Sequence, residues 1–239
     1  MKTAKDLLER ASILLLDEGF TRWTLAELCK WINDGQLEIV IQKPSATART
    51  VNLTMVEGTL QSIPAGYNSI LRPVRNVRGE QSDRLPRKVI TVAAAEGINS
   101  IMPGWHDPYS APFKQQVAHF IFDEANPRQF YVYPGNNGTG IIEAVLSANP
   151  QEVTPKGDPL ELESYDVPLG IEDIYFPALT YFVMYRAFAK DTQYAGSAQR
   201  ATMFYQQFAN ALGIQVTVET NMSPNVKAGV GGAAVGVDQ

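Results

Sequence analysis

The sequence predicts an α+β chain: helices near its two ends form one helical bundle, a long antiparallel β-rich insertion lies between them, and an extended arm closes the C-terminus. Three observations carry this. Apolar residues recur at three- and four-residue spacing within residues 3–42 and again within 171–212. From about Ala46 the period changes, and VNLTMV, GTLQSIP and SILRPVRNV are short, rich in branched residues and punctuated by Gly, Pro and Asn, as strands and turns are. The last stretch, NMSPNVKAGVGGAAVGVDQ, has glycines and small apolar residues with almost no charge, a composition that cannot build a core. The expected division is 1–45 with 163–215 for the bundle, 46–162 for the insertion and 216–239 for the arm.

Residues 3–17 place Ala4, Leu7, Leu8, Ala11, Leu14 and Leu15 on one helical stripe, with Thr3 at the cap position. A second helix begins after Thr24, with Glu27 positioned for a capping box and Leu25, Leu28, Cys29, Trp31 and Ile32 on one face. Asn33, Asp34 and Gly35 read as a turn, so the helix either continues or restarts, and two segments ending near Gln42 before Pro44 are expected. In the insertion, KVITVAAA suits strand or helix equally, whereas QQVAHFIFDE and QFYVYP alternate as paired strands joined by ANPR, and GTGIIEAVLSANP supplies another. The polar run QEVTPKGDP then returns the chain towards helix.

The stretch around which the rest is organised spans residues 170–191. Ile171, Ile174, Ala178, Phe182, Tyr185 and Ala189 form one stripe, and Leu179, Val183 and Ala187 form a second beside it. A helix this apolar must be covered on more than one side, by helices of this chain or of its copies. A last helix, SAQRATMFYQQFANALG, sets Ala201, Phe204, Tyr205, Phe208, Ala209 and Leu212 on one face, with Gly213 as its stop.

The chain has 239 residues, 45% hydrophobic and 19% charged, with a net charge of −5. Such a chain buries roughly 70–75% of the surface of its unfolded form, and its acidity argues against a nucleic-acid grip spread over the surface. Arg72, Arg75, Arg78, Arg84, Arg87 and Lys88 do cluster, either as a solvated loop or as a contact for an acidic surface or a nucleic-acid backbone. Cys29, the single cysteine, excludes an internal disulfide and reads as a buried thiol folded in a reducing cytoplasm. The run ILLL at 13–16 is too short for a signal core, and no run reaches the length of a membrane span.

The residues of known chemistries are not arranged to perform them. His106 and His119 lack a second ligand at metal spacing, and the glycines of AGVGGAAVG lack the lysine and helix of a phosphate loop. Asp34 with Glu38, and Asp123 with Glu124, are the carboxylate pairs from which a hydrolase would be built; solvated surface is their ordinary reading. Trp105, beside His106 in PGWHDP, either plugs a sheet or, with Tyr131 and Tyr133, presents a sugar-stacking surface. In the tail, Val226, Val230, Val235 and Val237 belong either to a free segment or to an arm that fills pockets on a partner.

Taken in order, several segments resemble the head-to-tail adaptor, or connector, proteins of tailed bacteriophages, especially the tail-tubular type with a β-rich insertion. They are Asp17, Arg22 and Trp23; Glu27, Leu28, Trp31, Asn33, Asp34 and Gly35 in WTLAELCKWINDGQLEI; and Leu53, Gly58, Thr59, Gln61, Ile63 and Pro64 in LTMVEGTLQSIP. PGWH at 103–106, FYVYP at 130–134 and YRAFAKD at 185–191 complete a likeness that spans about residues 4–213. The resemblance implies a structural virion protein without enzymatic activity or cofactor. It would form a ring, expected to be dodecameric, bound below the portal protein and above the tail or nozzle protein, with genomic DNA passing through the lumen without sequence-specific binding. Trp23, Trp31, Phe182, Tyr185, Phe204 and Phe208 are then expected to pack the bundle and ring, and the valine arm to reach the portal. The reading from another class is a saccharide-binding or host-contacting tail module.

Overall fold

The computed structural model describes residues 1–78, 85–123, 125–191 and 196–222, with side chains for all of these except 85–87 and 214–222. In chain order the elements are α1 (Ala4–Leu15), α2 (Leu25–Gln42), β1 (Ala48–Thr54), β2 (Glu57–Ser62), β3 (Tyr67–Arg78), β4 (Leu85–Val89) and β5 (Thr91–Val92). There follow α3 (Ala95–Ile101), β6 (His119–Phe122), β7 (Gln129–Asn137), β8 (Ile141–Ala148), α4 (Phe176–Lys190) and α5 (Ser197–Met222). The α+β class is as the sequence predicts. Contacts group Met1–Lys43 with Gln151–Gln239 in one compact unit and Pro44–Pro150 in another.

In the helical unit, α4 packs against α1, α2 and α5. α1 starts at a reciprocal cap: the Thr3 hydroxyl accepts from the Asp6 N–H at 3.3 Å, and the Asp6 carboxylate accepts from the Thr3 N–H at 3.0 Å. At α2 only half of the expected box forms. Thr24 accepts from the Glu27 N–H at 3.4 Å, while the Glu27 carboxylate takes both its bonds, at 2.6 and 2.8 Å, from Lys190 at the end of α4.

Instead of breaking at Asn33–Gly35, α2 runs unbroken for 18 residues. Gly35 lies on its buried side, where a Cβ would stand 2.6 Å from Leu179 and 2.7 Å from Phe182. The glycine is there to let α4 approach, so the turn reading fails for a packing reason. Asn33 and Gln36 are the polar counterpart of this contact. Asn33 exchanges two bonds with the Val153 backbone, at 2.8 and 3.0 Å, and Gln36, almost wholly buried, accepts from the Gly170 N–H while its amide donates to Asn33 and the Gln151 carbonyl. Residues 151–170 are thereby held against α2, and the return to the helical unit comes at Gln151 instead of 163.

Two details of the C-terminal helices also differ from expectation. A 3-10 turn, Asp173–Tyr175, precedes α4, so Ile174 leaves the stripe and is exposed, as is Ala189, while Ile171, Ala178 and Phe182 are buried and Tyr185 is half-buried. Leu179, Val183 and Ala187 are all buried. α5 does not stop at Gly213 but continues to Met222, because a helix-interior glycine costs only about 1 kcal/mol and does not by itself end a helix. Of the predicted α5 face, Ala201, Phe208 and Leu212 are buried, Phe204 is half-buried, and Tyr205 and Ala209 are exposed.

The other unit is a sandwich of two four-stranded sheets, β1-β8-β3-β4 and β2-β7-β6-β5, antiparallel except where β5 runs parallel to β6. Its core includes Leu53, Ile70, Phe120, Phe130, Val132 and Ile142. A smaller cluster joins Ile98 of α3, Trp105 and Ile121. KVITVAAA divides its allegiance: its first residues are extended in β4 and β5, and its last alanine opens α3. Three buried carboxamides clamp the turns. Asn136 accepts from the Gly138 and Gly140 N–H groups, Asn76 pairs with both backbone groups of Val117, and Gln61 pairs with both of Val56.

Gly35→Ala is expected to lower the stability of the helical unit by about 1–3 kcal/mol through overpacking, whereas Gly213→Ala, whose Cβ enters open space, raises it by about 0.5–1 kcal/mol. Urea titration followed by helical circular dichroism checks both, and equal effects at the two glycines would contradict the packing account.

Candidate assembly surface

The six aromatic residues expected to pack bundle and ring are distributed inside one protomer. Trp23, Trp31, Phe182 and Phe208 are buried; Tyr185 and Phe204 are half-buried. Phe204 lies parallel to Phe188 with ring centroids 5.5 Å apart, Phe208 meets Phe182 at 5.3 Å and Tyr205 meets Tyr185 at 5.2 Å. This aromatic seam fastens α5 to α4, with Tyr205 at its exposed edge.

The end of the unit where α1 turns into α2 is built around Asp17. Its carboxylate accepts the backbone N–H groups of Thr21, Arg22 and Trp23 at 3.0, 2.9 and 2.9 Å. Partial burial works to raise its pKa, but the three donors, from Trp23, Thr21 and Arg22, with the Arg22 charge outweigh it and hold the carboxyl below its usual value. Arg22 reaches from this turn to Asp191 at the C-terminal cap of α4, at 2.5 Å, and lies over the Trp23 ring. Beside it opens a recess of about 210 Å³ lined by Leu14, Leu16, Arg22, Trp23, Phe188 and Arg200, among others. Ile13, Leu14 and Leu16 are exposed, and Leu16, in the left-handed conformation at the α1 C-cap, is 92% exposed.

A second apolar pair, Leu37 and Ile41, stands on the solvent side of α2. Asp34 and Glu38 share that side: Asp34 lies 3.7 Å from Arg186, and Glu38 accepts from Gln42 at 2.8 Å. Both carboxylates thus have ordinary surface partners. Asp123 accepts from the Ala125 N–H in a turn, and Glu124 lies outside the described residues.

In the sandwich, Trp105 is 2% exposed, donates to Asn99 at 2.8 Å and meets Tyr131 and Tyr133 edge-on at 6.1 and 6.2 Å. It plugs the sheet, and its ring has no open face for a sugar. His106 and His119 each pair with a threonine hydroxyl at 2.8 Å, Thr59 and Thr91 respectively, and burial pulls the His106 pKa down. Among the described residues, no group of three His, Cys, Asp or Glu side chains is placed to hold a metal ion, and no helix is long and apolar enough to cross a membrane. In the basic cluster, Arg75 bonds Glu143 on the neighbouring strand at 2.7 Å, and Arg72, Arg78 and Lys88 are exposed. Arg84, the Arg87 side chain, Val226, Val230, Val235 and Val237 lie outside what is described.

The fold therefore offers exposed apolar side chains on both units, among them Leu16 and Ile41 on the helical one and Val89, Ile101 and Tyr109 on the sandwich, while Trp105, Tyr131 and Tyr133 of the sandwich pack on one another. A protein-family model described as SU10 adaptor protein matches residues 2–228. The chain belongs to this adaptor family. The match makes the adaptor a phage structural protein and a virion component that interacts with other virion components, and it extends beyond the resemblance at residues 4–213 into the tail. No curated protein matches the chain.

Two features of the adaptor escaped sequence reasoning although signals existed. Ile13 and Leu16 fall off the stripe formed by Leu7, Leu8, Ala11 and Leu15, so ILLL is more apolar than one buried face requires. Gln36 is a polar residue at a core position between Ile32 and Ile39, and such a residue needs a backbone partner.

Because the folded pKa of Asp17 lies below the ordinary 3.8, its contribution is fully present above that value and is lost as pH falls through the folded pKa. Asp17→Asn is expected to destabilise by about 1 kcal/mol at neutral pH, and the gap to the parent should narrow below about pH 4. Thermal unfolding from pH 7 to pH 2.5 measures this, and a constant gap would refute the role of the charge.

Proposed function

We propose that this adaptor is the head-to-tail connector of its particle: a ring, expected to hold twelve copies, that joins the portal protein to the tail or nozzle protein and lets genomic DNA pass through its lumen. The family match over residues 2–228 carries the reading. The charge distribution supports it. The helical unit holds 17 acidic and 11 basic residues, a net of −6, and the sandwich is close to neutral. A predominantly acidic lining forms few phosphate-neutralising contacts, so DNA slides instead of being gripped. Function on this reading is geometric: interfaces close a ring, and the portal templates it.

The arm with Val226, Val230, Val235 and Val237 is proposed to dock on the portal, its side chains filling pockets and its backbone adding a strand. The saccharide-binding alternative loses its main support with the burial of Trp105.

The purified chain is expected to be largely monomeric and to bind purified portal from the same phage. Removing residues 223–239 should weaken portal binding by about tenfold or more, a change of at least ~1.4 kcal/mol, while leaving the thermal midpoint unchanged. Sedimentation with portal measures the first and circular dichroism the second. Undiminished binding by the truncated chain would refute the arm, and failure of the full chain to bind portal would refute the connector.

A further inference from the structure

We propose that neighbouring copies meet head to tail through their helical units, the α1 end of one copy, Ile13, Leu14 and Leu16, seated against Leu37 and Ile41 on α2 of the next. This rests on the connector reading, in which copies stand side by side, and names the surfaces that touch.

The first argument is Leu16. A residue with a Cβ in the left-handed region costs roughly 1–2 kcal/mol, and glycine or asparagine is the usual choice at such a helix end. Here a leucine takes that conformation with its side chain in solvent. Covering it with a partner, together with Ile13 and Leu14, removes a large apolar area from water. The adjoining recess of about 210 Å³ already has Trp23 and Phe188 in its wall. It exceeds the roughly 150 Å³ that admits a benzene ring, so an aliphatic side chain fits.

The second argument is placement. α2 and α4 are antiparallel, since Glu27 reaches Lys190, Gly35 faces Leu179 and Lys43 lies over Tyr175. The recess sits at the Trp23 and Phe188 end, whereas Leu37 and Ile41 lie towards the other, roughly 20 Å away along α2 at 1.5 Å per residue. Two different patches at opposite ends of one unit make a heterologous contact, the kind that closes rings, and not a two-fold one.

The third is charge. Arg22 and Asp191 close on each other, which leaves the recess a surplus of one positive charge, Arg200, stacked on Phe188 with no carboxylate at ion-pair distance among the described residues. Glu38 stands beside Leu37 and one turn from Ile41, its described partner the neutral Gln42. Seating the α2 pair in the recess brings Glu38 towards Arg200.

The test uses particles assembled in cells that supply Leu16→Cys and Ile41→Cys chains together, treated with a short bis-maleimide; the native Cys29 is buried. The mixture should give crosslinked pairs, and either variant alone about a tenth as many. Arg200→Glu or Glu38→Arg alone should lower incorporation into particles by about tenfold, and the two combined in one chain should restore it to within about twofold. Crosslinking of Leu16→Cys to itself as abundantly as in the mixture would overturn the proposal. So would equal losses in the single and combined charge variants, or an absence of thiol pairs in particles where a lysine-reactive reagent joins neighbouring copies; in that last case the connector reading stands and only this interface falls. If the lysine reagent joins no copies either, the copy number per particle decides: a single copy refutes the ring, and several copies without thiol pairs refute this interface alone.

Discussion

The close approach of α2 and α4 at Gly35 governs the helical unit. A Cβ at that position would overlap Leu179 and Phe182, so the glycine sets the distance between the two helices, and the distance decides what else can form. With α4 this near, Lys190 reaches Glu27 at one end and Tyr175 lies beneath Lys43 at the other. α5 packs on a neighbouring flank of α4, where Phe182, Tyr185 and Phe188 receive Phe208, Tyr205 and Phe204. A chain with 19% charged residues builds this contact mostly from apolar area, the term roughly proportional to surface removed from water.

Carboxamides, all buried except the half-buried Asn33, do the complementary work. Asn33 and Gln36 on α2, and Gln61, Asn76 and Asn136 in the sandwich, bond backbone groups of segments that belong to no helix or strand ladder or that leave one. An amide side chain offers a donor and an acceptor about as a peptide does, so it satisfies irregular backbone that would otherwise be buried without partners at roughly 1–3 kcal/mol per group. Loops in both units are fixed in this way by neutral side chains.

Much of this was legible in the sequence. The stripe of α1 apart from Leu14, which is exposed, its Thr3 cap, the Leu179, Val183 and Ala187 stripe of α4 and the pairing of β6 with β7 all follow from periodicity and short-range capping chemistry. Gly35 misled, because the same residue marks a turn locally and a close helix crossing globally, and only the tertiary neighbour distinguishes them. Gly213 misled in the same direction, since a stop signal acts only where the following residues fail to continue the helix. The surface was least legible. Burial follows periodicity, but the exposure of Leu16, Leu37 and Ile41 depends on which sides other elements leave uncovered.

The three tryptophans are divided between the units: Trp23 and Trp31 in the helical one and Trp105 in the sandwich, all buried. Trp105 has the His106 imidazole 3.7 Å away and two tyrosines edge-on, whereas Trp23 sits under a guanidinium. Each unit thus carries its own native fluorophore in a distinct quenching environment. Emission from a single-tryptophan chain would follow the loosening of one unit independently of the other, with no dye attached.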